Sequence, residues 1–174
     1  MQRRHFLHGG LAALAGAACA PLASAANKPK AAFDAQMKGV MVHDFQPFDL
    51  QRERGKVVLV FFWSTSCAVC RDKLPEFRMN YEAWRDKGFQ LIAVNTDAKF
   101  EDVQHYVDLI HRAVPPRQQF PMVWRGDARH ADNFGVVRQV PTSFLLDRQG
   151  RMVKEIHGRI EPALWDDIAE LVVG

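Results

Sequence analysis

The chain has 174 residues, of which 48% are hydrophobic and 25% are charged, and its formal net charge is +3. This is the composition of one ordinary globular domain with a sizeable core, which excludes a disordered, a collagen-like and a multi-domain protein. Three cysteines are too few for a disulfide-stapled scaffold, and no apolar run reaches the roughly 18 residues of a membrane-spanning helix. Arg3 and Arg4 supply two of the positive charges, so a processed chain carries only +1 and nucleic acid is not an expected partner.

The first 25 residues have the organisation of a secretory signal peptide. A basic start is followed by an apolar stretch of Ala, Leu and Gly, and Ala-Ser-Ala at 23–25 matches a signal peptidase site. Arg3 and Arg4, followed by Phe6 and Leu7, resemble the twin-arginine export motif. We therefore predict a twin-arginine signal over residues 1–25 and a mature protein that is soluble in the periplasm.

Removal of this signal takes Cys19 with it and leaves one pair of cysteines, Cys67 and Cys70. Lipidation at Cys19 is disfavoured, because the Leu expected three positions before a lipoprotein cysteine is missing. An even pair of cysteines in an oxidising compartment indicates a disulfide. We expect residues 26–39 to be a spacer and residues 40–174 to be the folded domain.

The first half of that domain alternates between strand and helix patterns. Residues 40–50 predict an N-terminal extension in the form of a small hairpin. The apolar run at 57–62 predicts a strand buried on both faces, and apolar residues at helical spacing predict a helix from Cys70 to Gly88. A second buried strand at 91–94 and a second helical stripe at 103–114 complete a βαβα order.

The second half changes to a β-hairpin and a closing helix. A short strand is predicted at 120–124 and a polar helical turn at 127–134. Residues 142–146 and 152–156 flank an Asp-Arg-Gln-Gly turn and predict a hairpin, and a final helix starts at Pro162. This order predicts an α/β, thioredoxin-like fold, with a central mixed sheet and helices on both faces.

The Cys67-Ala-Val-Cys70 motif lies between a predicted strand and a predicted helix. Cys67 is therefore placed at the helix N-terminus, where backbone N–H groups and the helix dipole lower the pKa of a thiol. Two intervening residues bring Cys70 within disulfide distance on the first turn. We predict a redox-active disulfide in which Cys67 is the nucleophile and Cys70 resolves the mixed disulfide.

Metal and haem sites are weaker interpretations of the same motif. A zinc site requires a second pair of ligands at suitable spacing, and Arg71 stands where a c-type haem motif has His. The candidate histidines show no ligand spacing with the cysteines and are interpreted as solvated or structural; they are His105, His111, His130 and His157. We expect no metal and no cofactor.

Three segments together resemble the TlpA/ResA group of exported thioredoxin-like proteins. They are GKVVLVFFWSTSCAVCR at 55–71, Leu-Pro at 74–75 and VPTSFLLDRQG at 140–150, and the resemblance spans roughly residues 40–173. It implies a thioredoxin-like fold with an N-terminal β extension and the TlpA-type insertion. It also implies that Pro141 is a cis-proline facing the disulfide, and that Val140, Pro141 and Trp63 bind substrate.

Three departures from the family pattern lie close to the sulfurs. Ser66 replaces the Trp that usually precedes the first cysteine, and Phe61 occupies the place of the buried Asp that assists proton transfer in thioredoxins. Lys73 stands where many TlpA-like proteins have Glu. We interpret Lys73 as a solvated residue on the helix face.

The resemblance favours a thiol:disulfide oxidoreductase of the cell envelope, acting as a reductase on protein disulfides. Apocytochrome c and copper-site assembly proteins are the expected clients, a DsbD-like membrane protein is the expected electron donor, and the protein is expected to be a monomer. An oxidase shares the same residues and differs in its reduction potential, so the direction stays open.

Two further functions use related folds. A thiol peroxidase of the peroxiredoxin superfamily has Pro-x-x-x-Thr-x-x-Cys, and aligning its Cys with Cys67 puts Val60 and Ser64 at the Pro and Thr positions. A Sco-like copper chaperone has CxxxC and a distant His, whereas this chain has CxxC. The sequence therefore favours the oxidoreductase over both.

Overall fold

The computed structural model of the chain describes residues 33–174, so the predicted signal peptide and residues 26–32 lie outside the described residues. The strands are β1 (Met37–Val40), β2 (Pro47–Asp49), β3 (Val57–Trp63), β4 (Phe89–Asn95), β5 (Met122–Trp124), β6 (Ala131–Asp132), β7 (Thr142–Leu146) and β8 (Met152–His157). The α-helices are α1 (Ala68–Trp84), α2 (Phe100–Ala113) and α3 (Ala163–Val173). Short 3₁₀ helices lie at Leu50–Glu53, Arg85–Lys87 and Pro116–Gln118.

A five-stranded mixed sheet in the order β5-β4-β3-β7-β8 forms the centre of the fold. β3 pairs in parallel with β4, and β4 with β5, while β7 runs antiparallel to both β3 and β8. Every residue of β3 and β4 is buried, as expected for strands covered on both faces. The predicted mixed sheet and the predicted hairpin of residues 142–146 and 152–156 are therefore confirmed.

Each face of the sheet carries its own hydrophobic core. On one face, alternate β3 residues such as Phe61 pack with buried residues of α1, α2 and α3. The chain moves from β3 to β4 to β5 in one direction across the sheet, so two right-handed crossovers put α1 and α2 on the same face. The third helix, α3, also packs on this face. None of the helices described over residues 33–174 is long and apolar enough to cross a membrane.

The opposite face is covered by short elements. Phe62 of β3 packs there against Phe134, and the N-terminal hairpin and the 3₁₀ helix at Leu50–Glu53 contribute Met37, Phe48 and Leu50. Helices were expected on both faces, and within residues 33–174 the α-helices pack on one face while the second face carries the 3₁₀ helix and the hairpin.

The N-terminal hairpin is confirmed, but the fold begins earlier than predicted. β1 pairs antiparallel with β2, and Ala35 and Met37 are only 1% exposed. The predicted spacer over 26–39 is therefore wrong at its C-terminal end, because residues 33–39 belong to the fold.

The helical turn predicted at 127–134 is also wrong. The side chain of Asp127 accepts the Arg129 N–H at 2.8 Å, which stabilises a turn, and the following residues form β6, which pairs with β1. Local polar spacing indicated a helix, but strand pairing with a distant segment determines the structure.

Candidate active site

Cys67 and Cys70 form a disulfide at the N-terminus of α1, with their Cα atoms 5.2 Å apart. Cys67 is the N-cap residue, and its Sγ accepts a hydrogen bond from the backbone N–H of Cys70 at 3.1 Å. Cys70 is fully buried, whereas Cys67 is only partly buried. The helix dipole and this N–H group favour negative charge on the Cys67 sulfur once the disulfide is reduced.

The peptide bond between Val140 and Pro141 is cis, as the resemblance implied. Pro141 directly precedes β7, and Thr142 of that strand pairs with Phe62 of β3. Pro141 therefore stands at the end of the sheet from which β3 leads to Cys67. Val140 is partly buried and packs, like Cys67, against the core that contains the three helices.

A cavity of about 420 Å³ lies next to the Pro141 loop. It is lined by residues on both sides of that loop and by β8: Val136, Val137, Arg138, Gln139, Thr142, Phe144, Glu155 and His157. Val136 is 84% exposed, so the rim of this cavity presents apolar surface to solvent.

The substrate-binding role predicted for Trp63 is wrong for this structure. Its side chain is 0% exposed and packs edge-on against the Tyr106 ring, with 4.8 Å between the centroids. A side chain without exposed surface does not contact a client. Trp63 instead packs the end of β3 against α2. Its indole N–H has no hydrogen-bond partner among the described residues.

Lys73 is buried, so its interpretation as a solvated residue is wrong. It is 7% exposed, and its ammonium group donates to Glu76 Oε2 at 2.8 Å. Trp165 of α3 donates its indole N–H to the other Glu76 oxygen, also at 2.8 Å. Lys73 lies three residues after Cys70, one helical turn along the same face of α1. An ion pair with a buried Lys73 and a partly exposed Glu76 therefore supports the turn that follows the motif.

The surroundings of Glu76 favour its charged form. Burial acts to raise the pKa of Glu76, but hydrogen bonds from Lys73 and Trp165, with the charges of Lys73 and Arg159, bring that pKa below its ordinary value. Sequence reasoning missed Glu76, because a Lys and a Glu three residues apart on a helix are usually a solvated pair.

The candidate histidines lie in three different settings. The His130 side chain is only 4% exposed and bonds to Asp132 at 2.8 Å, which is a structural role. His111 stacks on His43 with 4.1 Å between the ring centroids. His105 and His157 are exposed. Across residues 33–174, no group of three or more His, Cys, Asp or Glu side chains is placed to hold a metal ion.

The sequence was compared with protein families and with known proteins. Residues 29–155 match the model of the AhpC/TSA family. The chain belongs to that family. It is 28% identical over 127 residues to the thiol-disulfide oxidoreductase ResA of Halalkalibacterium halodurans, covering 73% of this chain and 68% of that protein. ResA of Bacillus anthracis is 27% identical over 135 residues, covering 76% of this chain and 74% of the relative.

Solved structures show the same fold. A putative thiol:disulfide interchange protein DsbE from Chlorobium tepidum superposes with a TM-score of 0.58 and 26% identity, over 79% of this chain and 98% of its own. A putative thioredoxin from Neisseria meningitidis superposes with a TM-score of 0.63 and 23% identity, over 80% of this chain and 87% of its own. The thioredoxin-like fold and the thiol:disulfide oxidoreductase activity expected from the sequence are confirmed, and the peroxidase and copper-chaperone alternatives are not favoured.

Proposed function

We propose that the protein is an exported, monomeric reductase of protein disulfides in the periplasm, with Cys67 as nucleophile and Cys70 as resolving thiol. The observation that carries the roles of the two sulfurs in this proposal is the difference in exposure between the two cysteines. Cys67 is partly exposed at the start of α1, whereas Cys70 is fully buried one turn further along. A client disulfide can therefore approach Cys67 and not Cys70.

The reaction consists of two thiol–disulfide exchanges. The Cys67 thiolate attacks one sulfur of the client disulfide, and the other client sulfur leaves as a thiolate, which takes a proton from solvent. The Cys70 thiol then gives up its proton and attacks Cys67 Sγ in the mixed disulfide, and the second client sulfur leaves as a thiolate and takes up a proton. The client gains two electrons, and the enzyme is left with the Cys67–Cys70 disulfide seen in this structure.

Client binding is assigned to Val140 and Pro141. The loop stands at the same end of the sheet as Cys67, and the neighbouring cavity of about 420 Å³ offers both apolar and polar groups to an extended segment. Val140 is partly exposed, so a client segment can contact it.

The expected partners follow from the resemblance to the TlpA/ResA group and from the export motif. A DsbD-like membrane protein returns two electrons to the Cys67–Cys70 disulfide, and apocytochrome c or copper-site assembly proteins are the clients. The twin-arginine pattern at Arg3 and Arg4 and the Ala-Ser-Ala cleavage site support a periplasmic location.

A trapping experiment tests the roles of the two sulfurs. Cys70→Ser accumulates mixed disulfides with client proteins, because the covalent intermediate forms without a resolving thiol. Cys67→Ser is the matched control and traps little. Non-reducing gels after incubation with an envelope extract measure the outcome. Equal trapping by the two variants, or trapping by Cys67→Ser alone, contradicts the assignment.

The direction is tested by the reduction potential of the pair, measured by equilibration with glutathione. A reductase is expected near the value of thioredoxin, about −270 mV, and a strong periplasmic oxidant lies near about −120 mV. A value close to the latter overturns the proposed direction and leaves the roles of the two sulfurs in place.

A further inference from the structure

The loop that joins β3 to α1 is held by residues that follow β4. Thr65 lies in this loop, two residues before Cys67, and its backbone N–H donates to both carboxylate oxygens of Asp97, at 3.0 and 3.1 Å. Its carbonyl oxygen accepts a hydrogen bond from Arg71 Nη1 at 2.6 Å. Two charged side chains therefore fix the Thr65 residue through its N–H and its C=O.

Asp97 is itself held in place by its neighbours. The Asn95 side chain donates to Asp97 Oδ2 at 2.8 Å and accepts the Asp97 N–H at 2.9 Å. The indole N–H of Trp124 donates to the Asp97 carbonyl oxygen at 2.8 Å. Asn95 is 0% exposed, so this support is anchored in the core. A side chain whose own position is fixed in this way can hold a loop in one geometry.

The same region fixes the end of β3. The N–H and hydroxyl groups of Thr96 both donate to the Trp63 carbonyl oxygen, at 2.8 and 3.1 Å. After this point the chain turns, and the Cys67 N–H donates to the Ser64 carbonyl oxygen at 3.2 Å. The chain that leads from β3 to Cys67 is therefore tied to the residues after β4 at two points, the Trp63 carbonyl oxygen and the Thr65 N–H.

We propose that Asp97 is a positioning residue for Cys67, which holds the Thr65 N–H and thereby keeps the Cys67 sulfur against the N-terminus of α1. This inference rests on the proposed role of Cys67 as the attacking thiol. The thiolate is stabilised by the helix N-terminus, including the Cys70 N–H that contacts Cys67 Sγ. A loose loop moves the sulfur away from these groups for part of the time, which raises its pKa.

The charge of Asp97 acts in the opposite direction, because a nearby carboxylate disfavours a thiolate. Two variants separate the effects. Asp97→Asn removes the charge and keeps an oxygen that accepts the Thr65 N–H, whereas Asp97→Ala removes both. Both variants lack the charge, so the difference between them reports the hydrogen bond to the Thr65 N–H that the oxygen of the introduced Asn can keep.

The measurement is the rate of alkylation at Cys67 by uncharged iodoacetamide as a function of pH. Both variants are made in the full-length Cys70→Ser protein, and the Cys67 peptide is quantified by mass spectrometry. The pH midpoint of Asp97→Ala is expected to lie at least about 0.5 above that of Asp97→Asn, a factor of about three in the ionisation equilibrium. Equal midpoints, or a lower midpoint for the alanine variant, overturn the proposal.

Asp102→Ala is the control, since it removes an exposed carboxylate on α2 and is expected to leave the midpoint unchanged. If Asp97→Ala does not fold, Trp124→Phe removes the donor to the Asp97 carbonyl oxygen and is expected to raise the midpoint. An unchanged midpoint in that variant also overturns the proposal. The pH midpoint of alkylation depends on the ionisation of Cys67 and needs no client protein. The result of this test is therefore independent of whether Cys70→Ser traps clients.

Discussion

The ion pair between the buried Lys73 and the partly exposed Glu76 predicts an asymmetric response to mutation. The Lys73 side chain is 8% exposed and that of Glu76 is 39% exposed, with 2.8 Å between the ammonium nitrogen and the carboxylate. Glu76→Gln keeps an oxygen for the indole N–H of Trp165 but leaves a buried ammonium group without its counter-charge. Lys73→Met removes the buried charge and fills the same space with apolar atoms. The first change is therefore expected to cost more stability than the second.

The magnitudes follow from the exposure of the two groups. Removing one partner of a fully buried ion pair costs about 3–5 kcal/mol. Water reaches position 76, however, and can solvate part of the charge that remains on Lys73. We therefore expect Glu76→Gln to lower the free energy of unfolding by about 1.5–2.5 kcal/mol and Lys73→Met by less than about 1 kcal/mol. The double variant is expected to recover most of the loss, which gives a coupling energy of about 1–2 kcal/mol.

Urea unfolding of the oxidised protein measures these differences as shifts in midpoint at constant slope. Asp167→Asn is the control, because it breaks the exposed pair with Lys154 and is expected to change stability by no more than about 1 kcal/mol. Equal losses from Glu76→Gln and Lys73→Met, or additive effects in the double variant, refute the reasoning.

The same pair sets a pH dependence. The folded pKa of Glu76 is lowered from 4.5, so its contribution is fully present above 4.5 and is lost as the pH falls through the lower, folded value. The cost of Glu76→Gln is therefore expected to shrink in that acidic range. A cost that grows on acidification contradicts the assignment.

Three other changes have defined outcomes. Pro141→Ala is expected to slow the reduction of a protein disulfide while leaving iodoacetamide alkylation of Cys67 unchanged, because only client binding involves the loop; equal slowing of both contradicts this. Replacing Arg3 and Arg4 by Lys is expected to block export, as measured by fractionation, and continued export excludes the twin-arginine route. Phe77→Ala removes the ring that packs edge-on against Phe61 at 4.8 Å and is expected to cost about 3–5 kcal/mol in urea unfolding; a loss below about 1 kcal/mol shows that the core collapses to fill the space.

The parts of the fold that follow from local pattern were predictable. The apolar runs that became β3 and β4 are long and bounded by turn residues, so their burial on both faces follows from the sequence. The disulfide follows from the CxxC spacing, whereas the cis peptide bond before Pro141 came only from resemblance to a family.

The errors share a physical cause, which is contact with a distant segment. Lys73 is buried because α3 brings Trp165 to Glu76 across 89 residues of sequence, and a helix pattern contains no trace of that contact. Trp63 is buried because α2 brings Tyr106 against it. Residues 131–132 are a strand because β1 pairs with them. For Lys73 and for residues 131–132 the distant contact overrides a prediction from local pattern, and for Trp63 it overrides what the family resemblance implied.

Asp97 is a different case, because the topology of the sheet would have located it. β3 and β4 run in parallel and in register, with Trp63 opposite Asn95, so the residues that follow both strands emerge at the same edge of the sheet. Thr65 and Asp97 each lie two positions beyond their strand, and side chains at the carboxyl ends of parallel strands meet where α/β proteins place their sites. A carboxylate two residues after the neighbouring parallel strand is therefore a candidate support for a CxxC loop whenever the register is known.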